Sequence, residues 1–389
     1  MRTYEYITVV ANGAVHDGWE SVQVEWTMKD PEVNCLLTTT EIGPFTEAPV
    51  FDKWNYPPGS VIEVYATPEG SGAASLIFWG TVYSYEPKAD AESHTVTLVC
   101  KTTTNAWAMA GVESATGVWQ DTTDEAFVTE LVNAVGYKVK VPIGLISMTS
   151  QGPRTLPYYM IRQGATNYQA SMDVLVRNQK SLMATREGAL VIHDGVPFKM
   201  SGAVVQGENI LRMSAKLKDS QYSRIEVIGQ NAIQNAYNTG IAPHGIFGTT
   251  GKYKKVIDQL ALTQSDAIKR AVWEARRGVG EAIQAIVTVP GWRDLDGALW
   301  MANQDVYINA PWLQLDCTLR TWKVVMNQDL ASGTTTELTL VDPRTCSGYG
   351  EISSRMETAC DNGSIWEDPI VSVTTAAIDA ISGAIKTWF

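Results

Sequence analysis

VPGWRDLDGALWMANQDVYINAPWL, residues 289–313, carries three tryptophans, three aspartates and two prolines. Two readings compete for it. Indole rings stack on sugars and paired carboxylates move protons, so the stretch has the residue types of a glycan-cleaving cleft. Such a cleft needs two carboxylates on rigid supports about 5–10 Å apart. Asp294 and Asp296 instead lie in RDLDG, where Asp and Gly satisfy the backbone of a turn. Trp292, Trp300 and Trp312 then read as anchors that pin β connections by burying large area. The scaffold reading accounts for every residue without chemistry, and it makes the surrounding chain a β protein.

Composition points the same way. Trp and Tyr number 13 and 15, and such rings favour strands. At 389 residues, 45% apolar and only 19% charged, the chain can bury more than one core, which predicts two or three domains. A net charge of −12 argues against a protein that grips nucleic acid by its phosphates and suits a surface that DNA slides past. MRTYEYITVV lacks the basic run, apolar core and cleavage site of a signal peptide. No run of about 18 apolar residues occurs, so no spanning helix and no membrane insertion are expected. Five widely spaced cysteines (Cys35, Cys100, Cys317, Cys346, Cys360) read as reduced thiols, with Cys346 and Cys360 as the one pair weighed for a disulfide.

Along the chain the hydrophobic period changes twice. VQVEWTM (22–28) and HTVTLVC (94–100) alternate as half-buried strands do, and Asn12-Gly13 and Pro58-Gly59 mark turns. TTDEAFVTELVNAVG (122–136) then places Phe127, Leu131, Val132 and Val135 on one helical face. Thr166 and Gln169 have the spacing of a capping box for a second helix, and ALVIHDG (189–195) reads as a hairpin edge. Strands resume at YSRIEVIGQ (222–230), a helix is expected over 263–278, and alternation returns in LQLDCTLRTWKVVM and TTTELTLVDP. Ile378, Ile381, Ile385 and Trp388 form an amphipathic stripe that either packs on its own subunit or docks on a partner.

Catalytic and cofactor motifs fail on spacing. HGIFGTTGKY (244–253) is one residue too long for a phosphate loop and has Tyr253 where Ser or Thr would meet magnesium. His16, His94, His193 and His244 are scattered without a matched ligand pair, and no Gly-x-Ser-x-Gly elbow occurs. No catalytic residue, cofactor or metal site is assigned, and no enzyme activity is expected.

The opening stretch resembles the baseplate hub proteins of Mu-type contractile-tailed bacteriophages, in which VTVPGWR, DG-x-LW and PWL recur in this order. Gly18-Trp19 with VQVEW, the Trp54 to Val64 turn and strand containing Gly59, and IFWGTVYSYE (77–86) match that family's first barrel. GENILRMSAKLKDSQYSRIEVIGQ (207–230) matches its linker, AVWEARRG precedes PGWR, and GTTTELTLVDP closes a likeness covering most of residues 1–345. The motif residues it marks as structural are Trp19, Gly59, Pro290, Gly291, Trp292, Trp300, Pro311 and Trp312.

The resemblance implies a mainly β fold with α+β insertions: two tube-protein-like antiparallel β-barrel domains plus smaller α/β domains. The first barrel would be 1–103, an α+β domain 104–200, and the second barrel the discontinuous pair 201–242 and 286–345. A small helical insertion would occupy 243–285 and an extension 346–389. It implies a homotrimeric ring in the virion's tail baseplate, assembled in the host bacterial cytoplasm. That ring would adapt the sixfold tail tube to the threefold central spike and enclose a channel. Its partners would be its own copies, the tail tube protein and the central spike protein, extending to tape-measure and baseplate wedge proteins, with DNA only as passing cargo. The competing expectations are a tail-associated peptidoglycan hydrolase and the hub part of a type VI secretion spike.

Overall fold

The computed structural model describes residues 5–16, 19–39, 56–70, 73–90, 94–136, 143–150, 152–218, 222–231, 236–243, 252–258 and 261–346. The tail stripe, Cys360, His244 and most of HGIFGTTGKY lie outside these residues. Seven strands come first: β1 to β7 are Glu5–Ala11, Ala14–His16, Trp19–Thr27, Val33–Thr39, Val61–Pro68, Ser75–Ala89 and His94–Lys101. Then follow α1 (Thr104–Met109), β8 (Val118–Thr123), α2 (Asp124–Gly136), β9 (Leu145–Met148), β10 (Thr155–Met160), α3 (Asn167–Arg177), β11 (Ser181–Ala184) and β12 (Leu190–His193). After β13 (Lys199–Val205) and β14 (Arg212–Leu217) come β15 (Arg224–Asn231), β16 (Ala236–Pro243), β17 (Tyr253–Ile257) and α4 (Gln264–Ala282). The last strands are β18 (Ile283–Pro290), β19 (Gln304–Ala310), β20 (Leu315–Asp329) and β21 (Gly333–Val341).

The fold is mainly β, and its two β segments share one 13-stranded sheet in the order β14-β18-β21-β20-β3-β4-β7-β6-β5-β1-β2, with β19 on β20 and β13 parallel to β19. The ladders among the described residues close neither half into a barrel. The reason is visible in β20. Its first part, Leu315–Arg320, pairs with β19, and its second, Lys323–Asp329, pairs with β3, while β21 runs along the other edge. A bulge between Thr321 and Lys323 marks the hand-over, where an irregular register bends the strand. The edge on which β20 could curl back toward its own half is therefore occupied by β3. Val22, Val24 and Trp26 of β3 and Val324 and Met326 of β20 are all buried in one core with residues of both halves.

The α+β part has a core of its own, holding Trp107, Phe127, Leu131, Val174 and Leu175. The helical face expected at Phe127, Leu131, Val132 and Val135 is buried throughout, and Thr166 with Gln169 forms both hydrogen bonds of the capping box. The edge reading of ALVIHDG is corrected: β12 is the middle strand of three, antiparallel to β11 and parallel to β9. Its four residues are all buried, the pattern of a strand covered on both faces. Fully buried Lys180 lies 2.9 Å from Asp124 and 3.1 Å from Glu125 at the start of α2.

β15 and β16 fall within the 201–242 stretch expected in the second barrel, yet with β17 they form a separate sheet beneath α4 in the order β16-β15-β17. Ala267, Ala271 and Ala275 form the stripe that faces this sheet. Small residues are required there because the approach is close: a Cβ on Gly240 would collide with the Ala267 backbone.

Candidate functional site: the joint between the sheet halves

Residues 289–313 lie where the second half meets the first. β18 ends with Pro290 opposite Thr335. Gly291 takes φ 75°, a left-handed conformation that favours glycine. Its N–H donates to the Thr334 carbonyl at 3.0 Å and its carbonyl accepts from Thr336 Oγ1 at 2.7 Å. The tight turn drives Trp292 inward. Its side chain is wholly buried, and its indole N–H donates to the carbonyls of Asn327 and Thr335 at 3.1 and 3.2 Å. This tryptophan closes the end of the β20–β21 hairpin, as the scaffold reading expects.

Arg293, the next residue, binds the two halves. Its Nε donates to Glu5 Oε1 of β1 at 2.8 Å, and Nη2 donates to Ser75 Oγ of β6 at 3.2 Å and the Ala66 carbonyl of β5 at 3.4 Å. Nη1 reaches the Gly297 carbonyl at 3.1 Å, back in its own loop. The Glu5 side chain is fully buried, so its carboxylate depends on this partner. Gln328 adds a bond from its amide to the Glu5 carbonyl at 2.9 Å. A guanidinium suits the post, since its planar fork of donors can serve several acceptors at once. Sequence alone does not indicate this arginine's role, because Glu5 lies 288 residues away and nothing local marks the pair.

Asp294 is buried and belongs to the turn. Its Oδ1 accepts from the backbone N–H groups of Asp296 and Ala298 at 3.1 and 2.9 Å, and its own N–H donates to the Ala298 carbonyl at 2.8 Å. Asp296 is exposed on the loop. Among the described residues no three His, Cys, Asp or Glu side chains gather as metal ligands.

A second clamp holds the α+β part. Arg320 binds Asp305 through two bonds, Nε at 2.6 Å and Nη2 at 3.0 Å, and also donates to the Gly195 carbonyl just beyond β12. On the first half, Trp26 Nε1 donates to the Ala184 carbonyl at 2.7 Å and the Trp79 N–H to the Arg186 carbonyl at 2.9 Å.

The eight motif residues do not form one cluster. Pro290, Gly291 and Trp292 sit in the joint, and Trp300 is buried beside it, its backbone N–H donating to the Trp292 carbonyl at 2.9 Å. Trp19 and Gly59 lie in the first half. Trp19 is half-buried and donates from its indole to the His16 carbonyl at 3.0 Å. Gly59 holds φ 92° in the turn that brings Ser60 N–H to the Pro57 carbonyl at 3.0 Å. Pro311 and Trp312 open a 3-10 turn at the far end of β19. Here the anchor reading is corrected: Trp312 is 78% exposed. Its backbone is held, with its N–H donating to Gln206 Oε1 at 3.0 Å, but the turn leaves the ring outside the core. Aromatic spacing alone does not show which side of a short turn faces water.

The joint lies inside residues 263–347, which match the fourth domain of GpP, the Mu phage baseplate assembly protein. The chain is 23% identical over 324 residues to the baseplate hub protein gp44 of Escherichia phage Mu, covering 78% of this chain and 79% of that protein. Its fold is similar to that of the 43 kDa tail protein of prophage MuSo2 from Shewanella oneidensis, with TM-score 0.70 and 19% identity over 88% of this chain and 99% of that one. It is equally similar to the tail protein of Neisseria meningitidis MC58, with TM-score 0.71 and 16% identity over 89% and 100%. In sequence along 78% of its length this chain is similar to the baseplate hub protein of phage Mu, and in fold along 88% or more it is similar to the tail proteins of prophage MuSo2 and of Neisseria meningitidis MC58.

Proposed function

We propose that this chain is the baseplate hub of a contractile phage tail. Three copies form a ring that joins the sixfold tail tube to the threefold central spike and leaves a channel for DNA. The observation that carries this reading is the joint. Two β halves, locked together by β3 on β20 and by Arg293 on Glu5, let three chains offer six sheet halves to the tube while the whole ring stays threefold. The divisions 1–103, 104–200, 201–242 with 286–345, 243–285 and 346–389 remain our working domains, with β15 and β16 moved to the insertion. Partners are the chain's own copies, the tube protein and the spike protein, then tape-measure and wedge proteins. The net charge of −12 favours free passage of DNA, since phosphates are repelled.

The role is mechanical. Asp294, the buried acid of the opening stretch, is engaged in turn hydrogen bonds. The test pairs antibody labelling of complete wild-type particles of the parent phage with microscopy of the particles made when this gene is silenced. Label confined to the tail tip, and no complete tails without the protein, is the expected result. Complete tails without it, or cell-wall cleavage by the purified chain, would overturn the reading.

A further inference from the structure

Away from the joint, a groove of about 630 Å³ runs between α3 and α4. Tyr168, Tyr222 and Trp273 give it aromatic walls, and Lys254, Arg270 and Arg277 line it as cations. Both guanidinium groups lie against the Trp273 ring, 5.2 and 4.9 Å from its centroid. Most of the groove's charges are already engaged. Lys254 and Arg270 pair with Glu274 at 3.0 and 2.6 Å, Asp173 pairs with Arg162, and Glu281 with Lys29. Arg277 has no carboxylate partner among the described residues; it lies against Trp273 and, at 5.7 Å, Trp322. The groove therefore offers ring faces and one uncommitted guanidinium, which suits an acidic segment with an aromatic anchor. Clefts of about 300–1,000 Å³ take small ligands, so this one has room for a few side chains of a peptide and not for a folded face.

We propose that this peptide is SIWEDPI, residues 364–370 of the chain's own tail, with Trp366 among the rings and Glu367 or Asp368 on Arg277. Composition favours it. Beyond Cys346 the chain has six acids and two bases, and Glu367 with Asp368 is its only adjacent acidic pair, directly after a tryptophan. The stripe at Ile378, Ile381, Ile385 and Trp388 encloses a single acid, Asp379, and is aliphatic where the groove is aromatic and cationic. Position favours it too. Cys346 lines a small cavity whose wall includes Trp273 and Arg277, so the tail begins beside the groove. Trp366 follows about 20 residues later, and a flexible run of that length spans about 25 Å. The helix from Arg270 to Glu281 measures about 16 Å, so the segment reaches the groove without being stretched. Exposed ion pairs contribute little alone. A short tether, however, holds the segment at about millimolar effective concentration, where a weak contact suffices.

Docking braces α3 against α4, and it does not depend on the ring proposed above. The experiment treats the full chain with a zero-length carbodiimide, which joins a carboxylate to an amine it touches with loss of water, and maps the links by mass spectrometry. Lys254 and Glu274, 3.0 Å apart, supply the internal reference. Glu367 or Asp368 should link to Lys254, and in an equal mixture of isotope-labelled and unlabelled chains both ends should come from one chain. Trp366→Ala, which keeps both carboxylates and lies outside the described core, should lower that link at least about fivefold, the effect of losing an aromatic anchor. Arg277→Gln should also lower it, while a persisting Lys254–Glu274 link shows that the groove is still folded. Four results overturn the proposal: no link from Glu367 or Asp368 to Lys254, equal links from Glu351 or Glu357, a yield unchanged by both variants, or links that join labelled to unlabelled chains.

Discussion

Three tryptophans of one 25-residue stretch have different fates, and the difference is measurable. Trp292 is wholly buried with both its rings and its N–H satisfied. Replacing a buried Trp by Ala costs about 3–5 kcal/mol through lost transfer energy and the cavity left behind. That is a large part of a domain's total of about 5–15 kcal/mol, so Trp292→Ala should strongly lower the melting temperature and prevent tail assembly. Trp312→Ala should leave melting within about 1 degree, since its ring is 78% exposed and exposed changes stay near ±0.5 kcal/mol. A loss of assembly by Trp312→Ala at unchanged melting would identify its ring as a contact surface. Replacing both Asp294 and Asp296 with Asn should preserve infectivity, because Asn supports the same turn bonds. Normal tails with no infectivity would restore the catalytic reading. Burial of Trp292 was legible because Pro-Gly before it signals a turn at a strand end. Exposure of Trp312 was not, because a three-residue turn has no period to read.

At the level of elements, what could be read from the chain was what is local. The face of α2 and the capping box of α3 both follow from spacing, and both are present. Thr166→Ala should cost about 1 kcal/mol, seen as a small, uniform drop in denaturation midpoint. The pairings of β3 with β20 and of β15 with β17 join distant chain segments, and strand alternation shows a buried face without naming its neighbour. The same limit hid the Arg293–Glu5 clamp. Removing one partner of a buried ion pair costs about 3–5 kcal/mol, so Arg293→Met should destabilise strongly. The Arg293→Met, Glu5→Met double variant should recover part of that loss, measured by chemical denaturation. No recovery would mean that the arginine's bonds to Ser75 and Ala66 dominate. His193 adds a pH dependence. Its pKa is lowered from the usual 6.5 to about 4 by burial and by Arg320 and Arg277, so between those values the unfolded chain binds the proton more readily. Stability attributable to this residue is therefore complete above about pH 6.5 and falls as pH drops toward 4. His193→Gln should flatten that part of the melting-temperature profile, and an unchanged slope would assign the loss to carboxylates.

For the molecule as a whole, one sheet running through both β segments changes what a ring of these chains can be. Two independent barrels on a linker could rotate against each other. Two halves sharing β3·β20 and the Arg293 clamp cannot do so without breaking a seven-residue run of pairings, Ser21–Thr27 on Lys323–Asp329. In our proposal that rigidity lets a threefold object present six fixed surfaces. The resemblance carried the mainly β fold in outline, while the continuous sheet needed coordinates. The most direct test is electron cryomicroscopy of the chain co-expressed with the spike protein proposed as its partner, reconstructed without imposed symmetry. The account predicts a threefold ring with three copies, six sheet halves around an open channel, and the β3–β20 seam intact in every copy. A stable dimer, or a sixfold ring of single chains, would contradict it.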